Sequence, residues 1–347
     1  MRLYMNALRP TIENALNSNY WATKPIHRIL VYTEHGLTPE VVESFFQEVH
    51  CERIFDPFVG SGTVGVEALL RGRAFIGSDS NPAAVITSLA KLNPETPVTL
   101  RPLPQLSKYY DDAIYESLLE LSRHITTALE AGVFFNTARR FSKFRYSPAP
   151  RFGKKGALGD PVAYFNTLLD LAKHDIHMLG DMRGDVILAD STVWMPRRVC
   201  GALTSPPFAN NVDYVRHTQI ELLWLGIEPS RARDMQLPAC EAATRAWKES
   251  LPINIQPGGK RAKGYQRFLA QYLYYTRRHI ELLAERLEDE AWYTIGDSVL
   301  GGVYVPVHEY LAKFGEEFGL KATLTNLGPR RAKKERYLFL LKFKAKK

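Results

Sequence analysis

RIFDPFVGSGTVGVEALLRGRAFIGSDSNP, residues 53–82, decides the fold. It opens on an apolar strand, Arg53 to Asp56, and a second strand runs from Ala74 to Gly77 and ends at Asp79. Between them lie a glycine turn, Asp56 to Gly65, and a helix that begins near Thr63 with Val64, Val66, Ala68, Leu69 and Leu70. Asn81-Pro82 starts a further helix, because proline suits a first helical turn. Strands alternating with helices predict a parallel sheet in an α/β fold. Glycines let a backbone turn sharply and approach a ligand, and the helix N-terminus after them offers unpaired N–H groups. Asp79 follows Gly62 by 17 residues, a spacing that suits hydrogen bonds from ribose hydroxyls.

Outward from this stretch the pattern is interrupted and then resumes. Residues 93–180 begin proline-rich, read as helix from about 110 to 131, pass through a basic aromatic run and read as helix again near 161–180. Strands follow at Asp185 to Asp190 and Val199 to Leu203, the second running into Thr204-Ser-Pro-Pro-Phe208. A helix at about 214–225 ends at Gly226, and residues 227–265 are irregular. Then come a long helix at 265–288, a strand from Trp292 to Gly296, a helix near 306–318 and two strands, Ala322 to Leu327 and Tyr337 to Phe343, which read as an antiparallel pair. The expectation is a sheet of about seven strands, mostly parallel. Residues 1–92 and 181–347 form its domain, and 93–180 is an inserted segment and a candidate DNA-recognition region.

The 347 residues are 45% hydrophobic and 24% charged, ordinary for a globular protein. No apolar run approaches the roughly 20 residues of a membrane helix. Cys51, Cys200 and Cys240 lie far apart with no CxxC pair, which argues against a disulfide framework and for a reducing compartment. The net charge of +8 is localised: residues 330–347 hold nine Lys/Arg and one Glu. A second patch, 139–155, holds Arg139, Arg140, Lys143, Arg145, Arg151, Lys154 and Lys155 with four aromatics and no acid. A third, 258–278, has six Lys/Arg and no acid. Arginines interleaved with rings favour nucleic acid, since bases stack and phosphates pair with charge. Asp170, His174 and His177 share a helix face without a third good ligand, so no metal is expected.

The glycine turn also matches GxGxxG, so a nicotinamide dehydrogenase is a rival, though a weak one on that motif alone. Asp56 just before the glycines and the hydroxyls of Ser61 and Thr63 favour a nucleoside cofactor with an amino-acid-like end. No GK[ST] follows, which excludes a triphosphate P-loop. Ser205-Pro206-Pro207-Phe208 is the second constellation: a Pro-Pro turn fixes a carbonyl, a hydroxyl and a ring around a planar amine.

Together DPFVGSGT, GSDSNP, a strand ending in Asp190 and TSPPF resemble the S-adenosylmethionine-dependent amino-methyltransferases of DNA bases. The resemblance extends to 25–42, 210–226 and 296–307, about 200 residues in all. It implies a class I methyltransferase-like Rossmann sheet. It implies S-adenosyl-L-methionine at Asp56, Phe58, Gly60, Ser61, Gly62 and Thr63, with Asp79 on the ribose and Asp190 on the adenine amine. It implies catalysis at Ser205, Pro206, Pro207 and Phe208. The serine form is most like N4-cytosine enzymes; N6-adenine and RNA guanine-N2 enzymes share the motifs and remain open, as does a non-catalytic nucleic-acid-binding protein. DNA is the implied partner. A modification role in a restriction system would put cleavage in a separate endonuclease, since no nuclease motif is present. The location so implied is the prokaryotic cytoplasm, at the nucleoid. The 14 residues between Asp190 and Ser205 are too few for a target-recognition domain, so 93–180, 227–265 or the C-terminal tail must serve.

Overall fold

The computed structural model describes residues 25–28, 37–145, 151–153, 156–243, 248–329 and 336–346. Its strands are β1 (Arg53–Asp56), β2 (Ala74–Asp79), β3 (Phe144–Arg145), β4 (Arg151–Phe152), β5 (Asp185–Leu188), β6 (Val199–Thr204), β7 (Leu287–Gly296), β8 (Ser298–Leu300), β9 (Val303–Val305), β10 (Lys321–Pro329) and β11 (Tyr337–Lys344). The helices are α1 (Pro25–Arg28), α2 (Pro39–Glu48), α3 (Thr63–Leu69), α4 (Pro82–Leu92), α5 (Asp112–Ser122), α6 (Ala128–Phe141), α7 (Pro161–His177), α8 (Tyr214–His217), α9 (Gln219–Trp224), α10 (Pro229–Met235), α11 (Ala262–Arg286) and α12 (Val307–Glu317).

Seven strands form one sheet in the order β10-β11-β7-β6-β1-β2-β5. β5, β2, β1, β6 and β7 run parallel, and β11 pairs antiparallel with both β7 and β10. The expected sheet is therefore present, with the last strand inserted beside β7. Alternate residues of β1 serve opposite faces, as period two requires. Ile54 packs in the cluster of Phe45 and Val64, and Phe55 in that of Phe268 and Leu273. The chain builds outward from β1 to β2 and β5 on one side, and from β6 to β7 on the other. That reversal opens a crevice at the carboxyl ends of β1 and β6, where such sheets bind ligands.

The inserted segment folds onto α4 and α9. Phe134, Tyr110 and Leu118 share a core cluster with Leu89, Leu223 and Trp224. Trp224 is buried; its indole N–H donates to Tyr110 Oη at 3.0 Å, and its ring meets that of Phe134 edge to face.

Three expectations are corrected. The helix read over 110–131 is two helices, because Thr127 caps a new one: it accepts from the Glu130 N–H while Glu130 accepts from the Thr127 N–H. The basic run therefore begins inside α6. The helix read to 288 ends at Arg286, and β7 begins at Leu287, five residues before the expected strand. Cys51 and Cys200, 149 residues apart in sequence, form a disulfide. Distance along the chain does not limit contact between neighbouring strands: Cys51 enters β1, Cys200 lies in β6, and Ile54 pairs with Gly201.

Candidate active site

The crevice holds a cavity lined by both turns picked out in the sequence. Asp56, Phe58, Gly60, Ser61, Thr63 and Asp79 form one wall, and Ser205, Pro206, Pro207 and Phe208 another. Leu37, just before α2, also lines it.

The glycine turn is shaped by its own residues. Gly62 caps α3 at φ 78°, and a Cβ there would lie 3.3 Å from Ser88. Asp79 Oδ2 accepts from the Gly60 N–H at 3.1 Å and its Oδ1 from the Asn81 N–H at 2.9 Å. α4 supports the turn from beneath: Ser88 Oγ donates to the Gly60 carbonyl at 2.9 Å and Lys91 Nζ to the Ser61 carbonyl at 2.6 Å. Burial pushes the Lys91 ammonium down to about 7.

Asp56 joins the two turns. Its Oδ1 accepts from the Phe58 N–H at 3.0 Å and from Thr204 Oγ1 at 2.6 Å. Thr204 is the residue before the Ser-Pro-Pro-Phe turn. Asp56 Oδ2 has no hydrogen bond among the described residues. Burial raises the Asp56 carboxyl to about 7, against the hydrogen bonds from Thr204 and Phe58, and burial raises Asp79 to about 6. A buried and a half-buried acid at adjacent strand ends suit a ligand bearing a cation and hydroxyl donors.

At the Ser-Pro-Pro-Phe turn, Ser205 Oγ makes one long hydrogen bond, 3.4 Å to the Thr294 carbonyl, so its lone pairs remain available as acceptors. The Tyr272 hydroxyl donates to the Pro207 carbonyl at 2.9 Å, and the Phe208 N–H donates to Tyr214 Oη at 3.3 Å. These bonds hold the turn from behind.

Several residues important to this geometry carry little mark in the sequence. Thr204 has no signal beyond its place before the serine. His279, on α11, is buried; its Nδ1 lies 3.0 Å from the Ser191 carbonyl and its Nε2 2.7 Å from Tyr293 Oη. A carbonyl only accepts, so Nδ1 carries the proton and Nε2 accepts from tyrosine. Burial pushes this imidazole down to about 4, and its ring lies 5.0 Å from that of Phe58. Asp190 stands just beyond β5, with Oδ1 accepting from the Thr192 N–H at 2.8 Å, and does not line the cavity.

The basic candidates divide by environment. Arg139 turns inward to the buried Glu221 at 3.3 Å, and Lys143 pairs with Asp111 at 2.9 Å. Arg140 is exposed over the Tyr164 ring at 4.7 Å, and Arg145 and Arg151 are exposed beside it in sequence on β3 and β4. Lys154 and Lys155 lie outside the described residues. His174 and His177 are exposed.

No family model matches this sequence. Over 91 residues, 24% of this chain, it is 37% identical to the type II methyltransferase M.MvaI of Kocuria varians; that stretch spans 19% of the relative. Among solved structures, an rRNA methylase from Streptococcus thermophilus is similar at TM-score 0.36 and 10% identity, over 90% of this chain and 99% of the other. The rRNA methyltransferase aviRa of Streptomyces viridochromogenes is similar at TM-score 0.36 and 14% identity, over 94% and 92%. The seven-stranded, mostly parallel sheet agrees with the class I methyltransferase-like Rossmann sheet that the sequence resemblance implies. S-adenosylmethionine is the cofactor that the sequence resemblance implies, and the residues present fit it: Asp56 Oδ2, without a hydrogen bond among the described residues, suits its ammonium, and Asp79 its ribose.

Proposed function

We propose that this chain transfers a methyl group from S-adenosylmethionine to the exocyclic N4 amine of cytosine in DNA. The observation that carries the reading is the 2.6 Å bond from Thr204 to Asp56, which sets the cofactor turn and the amine-holding turn in one cavity. Bound S-adenosylmethionine supplies an electrophilic methyl group on a sulfonium. Asp56 and the Gly60–Thr63 turn hold its methionine end and Asp79 its ribose; Asp190, at the neighbouring strand end outside the cavity lining, is the candidate for the adenine amine.

An amine conjugated to a base ring is a poor nucleophile, because its lone pair is delocalised. Ser205 Oγ and the Pro206 carbonyl accept the amine hydrogens and turn that lone pair toward the methyl group. The N–C bond forms as the S–C bond breaks, and the amine then releases a proton to solvent. Alignment supplies most of the rate. Phe208 stacks on the base, which must leave the helix to reach the cavity. Arg140, Arg145 and Arg151 grip phosphates; a cognate endonuclease would be a separate protein.

The test is methyl transfer from radiolabelled cofactor to genomic DNA and, in parallel, to total RNA, with modified nucleosides identified by mass spectrometry. N4-methylcytosine is expected. N6-methyladenine would keep the cofactor and the catalytic turn and overturn the base; label in RNA alone would overturn the DNA assignment. Ser205→Ala should lower turnover about 10- to 100-fold with cofactor affinity unchanged. Undiminished turnover would remove Ser205 from the mechanism.

A further inference from the structure

The cavity has a wall that neither turn supplies. Residues 233–241 run from the end of α10 past the catalytic turn, and this strap is fastened at both ends to the chain just after that turn. Arg233 Nε donates to Asp213 Oδ2 at 2.9 Å. The Glu241 N–H donates to Asn211 Oδ1 at 3.0 Å. Asn211 is held at φ 60°, the one positive φ of a non-glycine residue among those described. Leu237 is buried with Ala209 in the core. Between the fastenings, Gln236 lines the same cavity as Ser205, Pro206 and Phe208. Its carboxamide makes no hydrogen bond among the described residues.

We infer that Gln236 is a specificity-determining residue that donates its amide N–H to the ring nitrogen beside the target amine. The inference rests on the amino-methyltransferase reading and deepens it. Ser205 and Pro206 offer acceptors, which satisfy only the amine. The next atom along the edge of cytosine or adenine is a ring nitrogen that accepts, and in guanine the equivalent nitrogen carries hydrogen. A carboxamide supplies the missing donor without burying a charge. A site built to bond one edge rejects a base whose edge leaves it unpaired. The two fastenings fix the strap relative to the turn, so amine and ring nitrogen are read as one rigid edge.

The experiment compares wild type and Gln236→Leu on oligonucleotides carrying the natural target base, or its analogue with the ring nitrogen replaced by CH (3-deazacytosine or 1-deazaadenine). The wild type should lose about 10- to 100-fold in kcat/KM on the analogue. Gln236→Leu should start lower by a similar factor on the natural base and lose little more on the analogue. Any intrinsic change in amine reactivity is shared by both proteins and cancels. Equal cofactor affinity by calorimetry shows that the variant is folded. If Gln236→Leu matches wild type on the natural base, or loses as much as wild type on the analogue, the assignment of Gln236 fails while the methyltransferase reading stands. If the wild type methylates no base, both fail.

Discussion

The hydroxyl of Thr204 does two things at once: it fixes the Ser-Pro-Pro-Phe turn against β1, and it partly offsets the burial that raises the Asp56 carboxyl to about 7. On the proposed function, a cofactor ammonium beside Asp56 needs the carboxylate form. Cofactor affinity should therefore rise with pH through about 7 and level off above it, as the free carboxyl loses its proton. Thr204→Val keeps the volume and removes the hydrogen bond. Without that bond the Asp56 carboxyl rises further, so the variant should bind cofactor about tenfold more weakly near neutrality and recover part of that at higher pH. Calorimetric titration at pH 6.5 and 8.5 measures this; a deficit equal at both pH values would show that Thr204 does not act through the ionisation of Asp56. The sequence exposes Asp56, Asp79 and Ser205 because each stands at a strand end in a recognisable motif. It does not expose Thr204 or His279, whose roles exist only across 148 residues in one case and between a helix and a distant loop in the other.

At the scale of elements, α4 is the platform on which the glycine turn rests. Lys91 reaches the Ser61 carbonyl from a fully buried site where burial alone pushes its ammonium down to about 7. A lysine harder to protonate in the folded chain than in the unfolded one takes up its proton preferentially on unfolding. Stability should accordingly rise with pH between about 7 and the ordinary lysine value near 10. Lys91→Met should abolish that share of the rise, measured as the difference between wild-type and variant melting temperatures from pH 7 to 9.5; parallel curves would mean that Lys91 keeps its charge in the fold. Elements whose boundaries rest on local chemistry are legible in the sequence: Asn81 accepts from the Ala83 N–H to start α4, and Gly226, at φ 78°, follows α9. The single helix expected over 110–131 is broken between Ser122 and Ala128, and the one expected over 265–288 is wrong at its ends. A helical apolar pattern running into a buried strand, as at Arg286–Leu287, has no local mark at the change.

Across the whole molecule, the sheet separates stability from chemistry. The Cys51–Cys200 disulfide lies at the starts of β1 and β6, and the cavity at their ends. It closes a loop of about 150 residues, for which chain entropy predicts roughly 5 kcal/mol. Reduction should lower the melting temperature while cofactor affinity at 25 °C stays the same; a large fall in affinity would show that the strand ends are coupled. The basic surface divides in a similar way. In the sequence 139–155 is one patch, because composition does not record which way a side chain turns on a helix. In the fold Arg139 faces the buried Glu221, whereas Arg140, Arg145 and Arg151 face solvent. Replacing the three exposed arginines with glutamine should weaken DNA binding and reduce the slope of log K against log salt by up to about 3, close to one for each phosphate no longer neutralised. Arg139→Gln leaves a buried carboxylate without its cation, so it should cost about 3 kcal/mol of stability and leave the salt slope unchanged. Binding titrations from 50 to 200 mM salt, read beside melting curves of the same variants, decide it: a lowered slope for Arg139→Gln, or an unchanged slope for the triple variant, would move the nucleic-acid surface away from this face.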